Sequence, residues 1–219
     1  DDQACERLSS ELAAYARHYQ DKAAELSQLR QGAASQLASA VEGEIQRLGM
    51  PGGRFTIELR ATAHAEPHPH GLEQVELLVS ANPGQPLKPL AKVASGGELS
   101  RISLAIQVIT AQTSRVPTLV FDEVDVGIGG PTAEVVGQLL RRLGERGQVL
   151  TVTHLPQVAA QGHHHLFVHK ARGSDATRTA VAHLQDSDRI EEIARMLGGV
   201  DLTAESLAHA RKMVTTAQN

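Results

Sequence analysis

Two adjacent carboxylates, Asp122 and Glu123, directly follow a short apolar segment at 118–121. Such a short apolar run is typical of a buried strand, and open α/β sheets bind ligands at the carboxyl ends of their strands. One carboxylate there can hold Mg²⁺ while its neighbour activates a water molecule. The alternative is a strand that simply ends in a solvated acidic turn.

A second candidate site is Ser95-Gly96-Gly97-Glu98, at the start of a helix predicted over 97–112. The glycines allow the backbone to approach a ligand, and the free N–H groups of a helix N-terminus bind phosphate. The Ser-x-x-Glu spacing is also that of a capping box, which needs no ligand. Because a cap gains nothing from two glycines, the pair favours a ligand site.

His154 follows a second short apolar strand, predicted over 149–153. Because the carboxyl ends of parallel strands meet at one sheet edge, His154 would lie near the two carboxylates. An imidazole there can orient a phosphate group. A single histidine at a strand end can equally be structural.

The other histidine clusters do not have the spacing of a zinc site. His64, His68 and His70 lie in one loop, and 163–165 is a run of three. Neighbouring residues of a strand face opposite sides, so three consecutive histidines cannot all reach one ion. We expect no specific metal site at either cluster.

The elements that must position these residues alternate between strand and helix from about residue 94 onward. We predict strands at 118–121, 149–153, 166–169 and 179–184, and helices at 97–112, 132–146, after Pro156, at 187–198 and at 203–217. This order predicts an α/β fold with a mainly parallel sheet that helices cover on both faces. Further upstream, 55–63 and 75–81 predict an antiparallel pair around a turn at 64–72, and a loop follows at 82–89.

Residues 1–49 are predicted to be helical, because apolar residues recur at steps of three and four from Leu8 to Leu48. The stripe fits either one or two amphipathic helices packed on the core or the end of a coiled-coil arm. Gly32 predicts a bend or break.

Composition excludes several classes of protein. The 219 residues carry a formal net charge of -4, which does not suit a protein that coats nucleic acid. Hydrophobic residues make up 41%, as in globular chains, but no run is long enough to span a membrane. One set of arginines forms either a basic patch or a solvated helix face: Arg101, Arg115, Arg141, Arg142 and Arg146.

Ser-Gly-Gly-Glu, then Asp-Glu 27 residues after Ser95, then His 31 residues after Glu123, is the motif order of ABC-type ATPases. The stretch from about Asn82 to His169 resembles the C-terminal half of an ABC-type ATPase head of the SMC kind. The runs 82–84, 86–90, 93–101, 121–130 and 189–197 resemble RecN, a family of bacterial SMC-like proteins of DNA double-strand-break repair and recombination. The resemblance implies a coiled-coil arm at 1–49 and the C-terminal lobe of an ATPase head at 50–219.

The resemblance also implies a role for each candidate residue. The run 95–98 matches the signature motif, which contacts the γ-phosphate of ATP bound to the opposite head. Asp122 matches the Walker B aspartate that serves Mg²⁺, Glu123 the glutamate that polarises the attacking water, and His154 the switch histidine. Gly129 stands where many members have Asp, and Asp125 is a local substitute for it.

The phosphate-binding Walker A loop of such ATPases needs Gly-Lys-Ser/Thr, yet none of the five lysines here follows a glycine. The resemblance therefore implies that an N-terminal half of a longer protein supplies this loop and that the chain alone is inactive. The implied partners are that half, a second head in an ATP-dependent homodimer, and DNA, in the bacterial cytoplasm at the nucleoid and not at a membrane.

Two alternatives remain open. A transporter ATPase would have a membrane-coupling partner, a signature ending in Gln rather than Glu98, and no arm. A non-catalytic scaffold with an ABC-like fold would not need the Glu123 base.

Overall fold

The computed structural model describes residues 2–62, 66–111, 113, 116–172, 177–198 and 202–218. Some residues that the predictions include lie outside the described residues, among them Ala63, His64, Gln112 and Arg115. The chain divides into two compact units, residues 1–43 with 52–93 and residues 44–51 with 94–219. The predicted division at residue 49, into an arm and a lobe, stays a prediction.

Helix α1 (Asp2–Arg47) supplies most of the first unit and is continuous through Gly32, so the chain does not break there, while a bend at Gly32 stays a prediction. Tertiary context overrides the propensity of one glycine. The apolar stripe changes character along the helix. Leu8 and Tyr15 are 60% and 72% exposed, whereas Val41 is fully buried. The end of α1 therefore packs on a core, while its beginning leaves an apolar stripe in solvent.

A three-stranded antiparallel sheet completes the first unit. It consists of β1 (Arg54–Ala61), β2 (Glu73–Ser80) and β3 (Lys88–Pro89), with β2 in the centre. The register places Phe55 opposite Val79, and both side chains are buried. The predicted antiparallel pair is confirmed. The predicted loop at 82–89 also contains the short strand β3, and a 3₁₀ helix, Leu90–Lys92, follows it.

The turn between β1 and β2 is fixed to α1 by polar contacts. The backbone N–H of His68 donates to the Tyr19 hydroxyl oxygen at 3.1 Å, and the Arg30 guanidinium donates to the His70 carbonyl at 2.9 Å. Arg30 also pairs with Glu73 at 3.2 Å, with both side chains largely shielded from solvent. These contacts hold the hairpin against the middle of the helix.

The second unit contains the alternating elements that the sequence predicts. They are α2 (Gly96–Thr110), β4 (Thr118–Phe121), α3 (Gly130–Gly144), β5 (Gln148–Thr151), α4 (Pro156–Ala159), β6 (His165–Arg172), β7 (Thr177–Leu184), α5 (Asp186–Gly198) and α6 (Ala204–Gln218). The predicted α/β fold class is confirmed, with a parallel pair, β4–β5, and a separate antiparallel pair, β6–β7. Nowhere in the described ranges is a helix both long and apolar enough to cross a membrane.

Strands β4 and β5 form a parallel pair connected through α3, with Val120 opposite Leu150 and Phe121 opposite Thr151. Strand side chains alternate between the two faces. Phe121 is buried, but Val120 and Val152 are 68% and 65% exposed. The predicted cover on both faces is therefore wrong for the described residues, which pack only one face of this pair.

The C-terminal helices form their own hydrophobic cluster, which includes Ile193, Ala210 and Val214. Arg189 of α5 is buried beside this cluster. Its Nη2 atom donates to three carbonyls at the end of α4: Ala159 at 3.3 Å, Ala160 at 3.1 Å and Gly162 at 2.5 Å. Burial lowers the pKa of this guanidinium, and the nearby Arg141 lowers it further. Arg189 thereby gives a charged donor to carbonyls at the end of the short helix, of which that of Ala159 also accepts from the Gly162 N–H at 3.3 Å.

Candidate active site

Asp122 and Glu123 lie where the prediction placed them, at the carboxyl end of β4, and both are exposed. One oxygen of Asp122, Oδ1, accepts a hydrogen bond from the Glu123 N–H at 2.9 Å. Within the described ranges, no protein group donates to the other oxygen, Oδ2. A carboxylate oxygen that is free at an exposed strand end fits the oxygen ligands that Mg²⁺ prefers.

The backbone at Glu123 has an unusual conformation. Its φ of 57° is the only positive value among the described non-glycine residues. A left-handed residue with a side chain costs about 1–2 kcal/mol. The Val126 N–H donates to the Glu123 carbonyl at 3.2 Å and closes a tight turn after the strand. The turn reverses the chain immediately beyond the two carboxylates.

Ser95 caps helix α2, which leads away from the site. Its hydroxyl oxygen accepts from the Glu98 N–H at 3.3 Å, and its carbonyl accepts from the Leu99 N–H at 3.0 Å. Among the described residues, the Glu98 side chain makes no return bond to the Ser95 N–H. Only half of the predicted capping box is therefore formed.

The two glycines lie where the turn after β4 packs on the start of α2. A Cβ atom at Gly96 would overlap the Glu123 Oε2 atom. A Cβ atom at Gly97 would lie 2.9 Å from the Val126 carbonyl and 3.2 Å from the Glu123 carbonyl. Gly97 thus has a packing reason that needs no ligand, because its neighbours include backbone carbonyls, whereas the atom nearest Gly96 is the end of a flexible side chain.

The next turn of α2 attaches this helix to the loop after β4. The Ser100 hydroxyl donates to the Asp122 carbonyl at 2.5 Å. The Arg101 guanidinium donates to the Val126 carbonyl at 2.8 Å and to the Val124 carbonyl at 3.5 Å. The loop that carries the carboxylates is therefore held from the helix side.

One of the two alternatives placed Arg101 in a basic patch. The structure does not, because Arg101 is buried. Its side chain is only 5% exposed, and burial lowers the pKa of its guanidinium. Arg141 donates to the Gln161 carbonyl at 2.7 Å, whereas Arg142 and Arg146 are exposed. The predicted set of arginines is therefore divided between buried contacts and surface.

His154 lies just beyond β5, and Asp125 connects it to the loop after β4. Asp125 is 2% exposed, and its Oδ2 atom accepts from the Thr153 hydroxyl and from the His154 N–H at 3.2 Å. Its other oxygen, Oδ1, lies 3.5 Å from the His154 Nδ1 atom. The imidazole itself is 67% exposed.

The second unit therefore brings the predicted residues together at one sheet edge. The start of α2 contacts Glu123, and the loop after β4 contacts His154 through Asp125. The arrangement places two exposed carboxylates and an exposed imidazole beside a helix N-terminus, which suits the hydrolysis of a phosphate anhydride. The described residues include no group of three or more His, Cys, Asp or Glu side chains that could hold a metal ion.

Three residues that shape the site did not enter the predicted set: Ser100, Arg101 as a buried contact, and Thr153. Arg101 follows Gly97 by four positions, so both lie on the same helix face. The spacing therefore indicates that Arg101 faces the same neighbouring loop as Gly97. Nothing in the sequence points to Thr153, whose hydroxyl contacts a residue 28 positions earlier.

The curated relatives that match most of this chain share one name. The chain is 50% identical over 200 residues to DNA repair protein RecN of Xylella fastidiosa strain 9a5c, a match that covers 91% of this chain and 36% of the relative. It is 49% identical over 217 residues to DNA repair protein RecN of Vibrio cholerae, covering 99% of this chain and 39% of the relative. The chain belongs to the RecN family. It spans less than two fifths of the length of these RecN relatives, and no protein-family model matches it.

Solved structures support the fold. The Smc head domain with a coiled coil and joint from Pyrococcus yayanosii superposes with a TM-score of 0.60 at 17% identity, covering 88% of this chain and 35% of that one. An Smc head domain with an extended coiled coil from Pyrococcus furiosus gives 0.56 at 17% identity, covering 89% and 46%. This RecN-family chain therefore has the fold of an SMC head over the matched region.

Proposed function

We propose that this chain supplies the signature, Walker B and switch-histidine residues of an SMC-like ATPase that acts in DNA double-strand-break repair and recombination. One observation carries the proposal: in a chain of the RecN family, 95–98, Asp122, Glu123 and His154 converge at one edge of the β4–β5 pair. The repair role is supported by the similarity to the RecN relatives, which are DNA repair proteins by name.

Each residue has a role that its chemistry supports. Asp122 would hold Mg²⁺ through its free carboxylate oxygen, and the ion would neutralise phosphate charge when bound. Glu123 is an exposed carboxylate that can accept a proton from water. The exposed His154 ring can face the γ-phosphate of ATP, and Ser95 with its glycines offers a helix N-terminus to an anion.

The proposal requires two protein partners. An N-terminal half of the same protein supplies the Walker A loop, for which this chain has no Gly-Lys-Ser/Thr sequence. The exposure of Val120 and Val152 supports the need for this N-terminal half, because an apolar sheet face is normally covered. A second head binds in an ATP-dependent homodimer, and the complete protein acts on DNA in the bacterial cytoplasm, at the nucleoid.

Co-expression of this chain with the missing half tests the proposal. We expect the chain alone to hydrolyse no ATP, and the reconstituted protein to hydrolyse it in a Mg²⁺-dependent reaction. Glu123→Gln should lower kcat at least about 100-fold, because a general base contributes that much. The same variant should accumulate an ATP-bound head dimer, detectable by size-exclusion chromatography with light scattering.

Glu191→Gln, an exposed position on α5, is the matched control and should retain full activity. If the reconstituted protein hydrolyses no ATP and Glu123→Gln traps no head dimer, the scaffold alternative is correct. Micromolar ATP binding by the chain alone, abolished by Asp122→Ala, would contradict the need for a second half.

A further inference from the structure

Asp125 is the most completely buried acidic side chain beside the site, and the proposed roles above leave it unused. It follows Asp122 by three positions but points into the protein with 2% exposure. A buried carboxylate must be compensated by hydrogen bonds or charge. The structure supplies this compensation from the loop after β5, which carries His154.

The two carboxylate oxygens have different partners. Oδ2 accepts from the Thr153 hydroxyl and from the His154 N–H at 3.2 Å, so it fixes the backbone where the imidazole is attached. Oδ1 faces Nδ1 of the same imidazole at 3.5 Å. One side chain therefore fixes the backbone of His154 and lies beside the Nδ1 atom of its ring.

The neighbouring loop holds Asp125 in turn. The carbonyls of Val124 and Val126, on either side of it, accept from the buried Arg101 guanidinium at 3.5 and 2.8 Å. The charge of Arg101 also lies near enough to Asp125 for the two to attract. Because both flanking carbonyls are occupied, Asp125 has little freedom to move away from His154.

We propose that Asp125 is a positioning residue for His154: its buried carboxylate fixes the loop after β5 and turns the Nδ1 atom of the imidazole inward. The Nε2 atom is then the ring nitrogen that faces solvent and, if the proposed ATPase function on which this inference rests is correct, the phosphate. A buried carboxylate at Nδ1 also selects the tautomer of a histidine in catalytic triads. Asp125 thus acts in its own head and not as a residue of the head–head interface.

Asp125→Asn separates the orientation of the ring from the integrity of the loop. The amide oxygen can take the place of Oδ2 and keep both loop hydrogen bonds. The amide NH₂ then takes the place of Oδ1 and donates to Nδ1, which reverses the polarity of the ring contact. A merely structural role for Asp125 would not reverse the tautomer of His154.

The first measurement uses this chain without nucleotide, so it does not depend on the proposed ATPase function. At about pH 9, where imidazoles are neutral, ¹⁵N-resolved NMR of the ring should give the Nδ1–H tautomer for His154. Asp125→Asn should give the Nε2–H tautomer, while Asp188→Asn, an exposed control, should leave the ring unchanged. The same tautomer in Asp125→Asn and in the unaltered chain would overturn the proposal.

The second measurement uses the reconstituted full-length protein. Asp125→Asn should lower kcat about 10-fold or more, because misoriented histidines lose at least that much. The double variant with His154→Ala should lose no more than His154→Ala alone, since Asp125 acts through that ring. A further loss in the double variant would show that Asp125 does not act through His154. If the reconstituted protein hydrolyses no ATP, the ATPase proposal fails while the NMR result for Asp125 stands.

Discussion

Two buried arginines of the second unit, Arg101 and Arg189, perform the same task in two different regions. Each is almost inaccessible, at 5% and 8% exposure, and each donates to backbone carbonyls rather than to a carboxylate. Arg101 holds the loop after β4, which bears the candidate catalytic groups. Arg189 holds the end of α4, beside the C-terminal hydrophobic cluster.

The charges around the two guanidinium groups differ. Burial lowers the pKa of both, but Glu98 and Asp125 counteract this at Arg101, whereas Arg141 reinforces it at Arg189 and only Asp186 opposes it. The cation at the candidate site is thus supported by acidic residues of that site. A buried arginine that donates to backbone carbonyls therefore stabilises the fold in one region and shapes the loop of the candidate site in the other.

The largest expected effect is on stability, from Arg189→Met. Three carbonyls lose their charged donor, so we expect a loss of about 3 kcal/mol in the free energy of unfolding. Urea denaturation followed by circular dichroism measures it. Arg195→Met on the same helix removes a pair with Glu192 in which the guanidinium is 56% exposed, and it should cost about 1 kcal/mol. Equal losses in the two variants would contradict the role given to Arg189.

Arg101→Met should cost about 2 kcal/mol, less than Arg189→Met, because one of its two carbonyl contacts is long at 3.5 Å. The comparison predicts a second difference in the reconstituted protein. Arg101→Met should lower kcat under conditions where it is folded, whereas Arg189→Met should not. The exposed Arg142→Met is the matched control. If both buried variants lower kcat equally, the division between fold and site is incorrect.

Gly97→Ala tests the close approach that Arg101 maintains. The new methyl would lie 2.9 Å from the Val126 carbonyl and 3.1 Å from Arg101 Nη1, so crowding should outweigh the helix propensity of alanine by about 1 kcal/mol. Gly32→Ala in α1 meets nothing within 4 Å and should stabilise the chain by up to about 1 kcal/mol. Opposite signs in thermal denaturation are the expected result, and stabilisation by both would refute it.

The smallest effect is a pH dependence near Arg189. Burial lowers the pKa of His165 in the folded chain, and the charge of Arg189 lowers it further. The unfolded chain therefore binds the proton more readily, so stability is complete above the ordinary pKa and is lost as pH falls below it. Denaturation at several pH values should show a smaller slope for His165→Gln and for Arg189→Met. His18→Gln on α1 is the control, and a slope that neither variant reduces would contradict the assignment.

Local features of the fold could be predicted from the sequence because their causes are local. The bounds of β4 agree residue for residue, since the apolar run is closed by Pro117 and Asp122. Ser95 caps α2 as its spacing predicts. Gly32 shows the limit of this reasoning, because one weak residue does not break a helix whose neighbouring residues all favour it.

The remaining features depend on contacts between distant segments. The pattern of apolar residues cannot show whether this chain or another covers a sheet face, so the exposure of Val120 was not predictable. The sequence cannot distinguish a buried Arg101 from a surface one, because its carbonyl acceptors lie more than 20 residues away. The candidate residues themselves were found through motif order, while the contacts of Asp125 that join two loops needed the three-dimensional structure.

The left-handed backbone of Glu123 has a consequence for how this sequence can change. Glycine or asparagine would adopt that conformation more readily than glutamate, so the carboxylate is kept at a position where the backbone disfavours it. Selection for thermal stability alone should therefore replace Glu123 by glycine or asparagine. The selected chains would be more stable but would lack the group proposed to activate water. Persistence of glutamate at this position under mutational drift is a sign that selection acts on chemistry and not on folding.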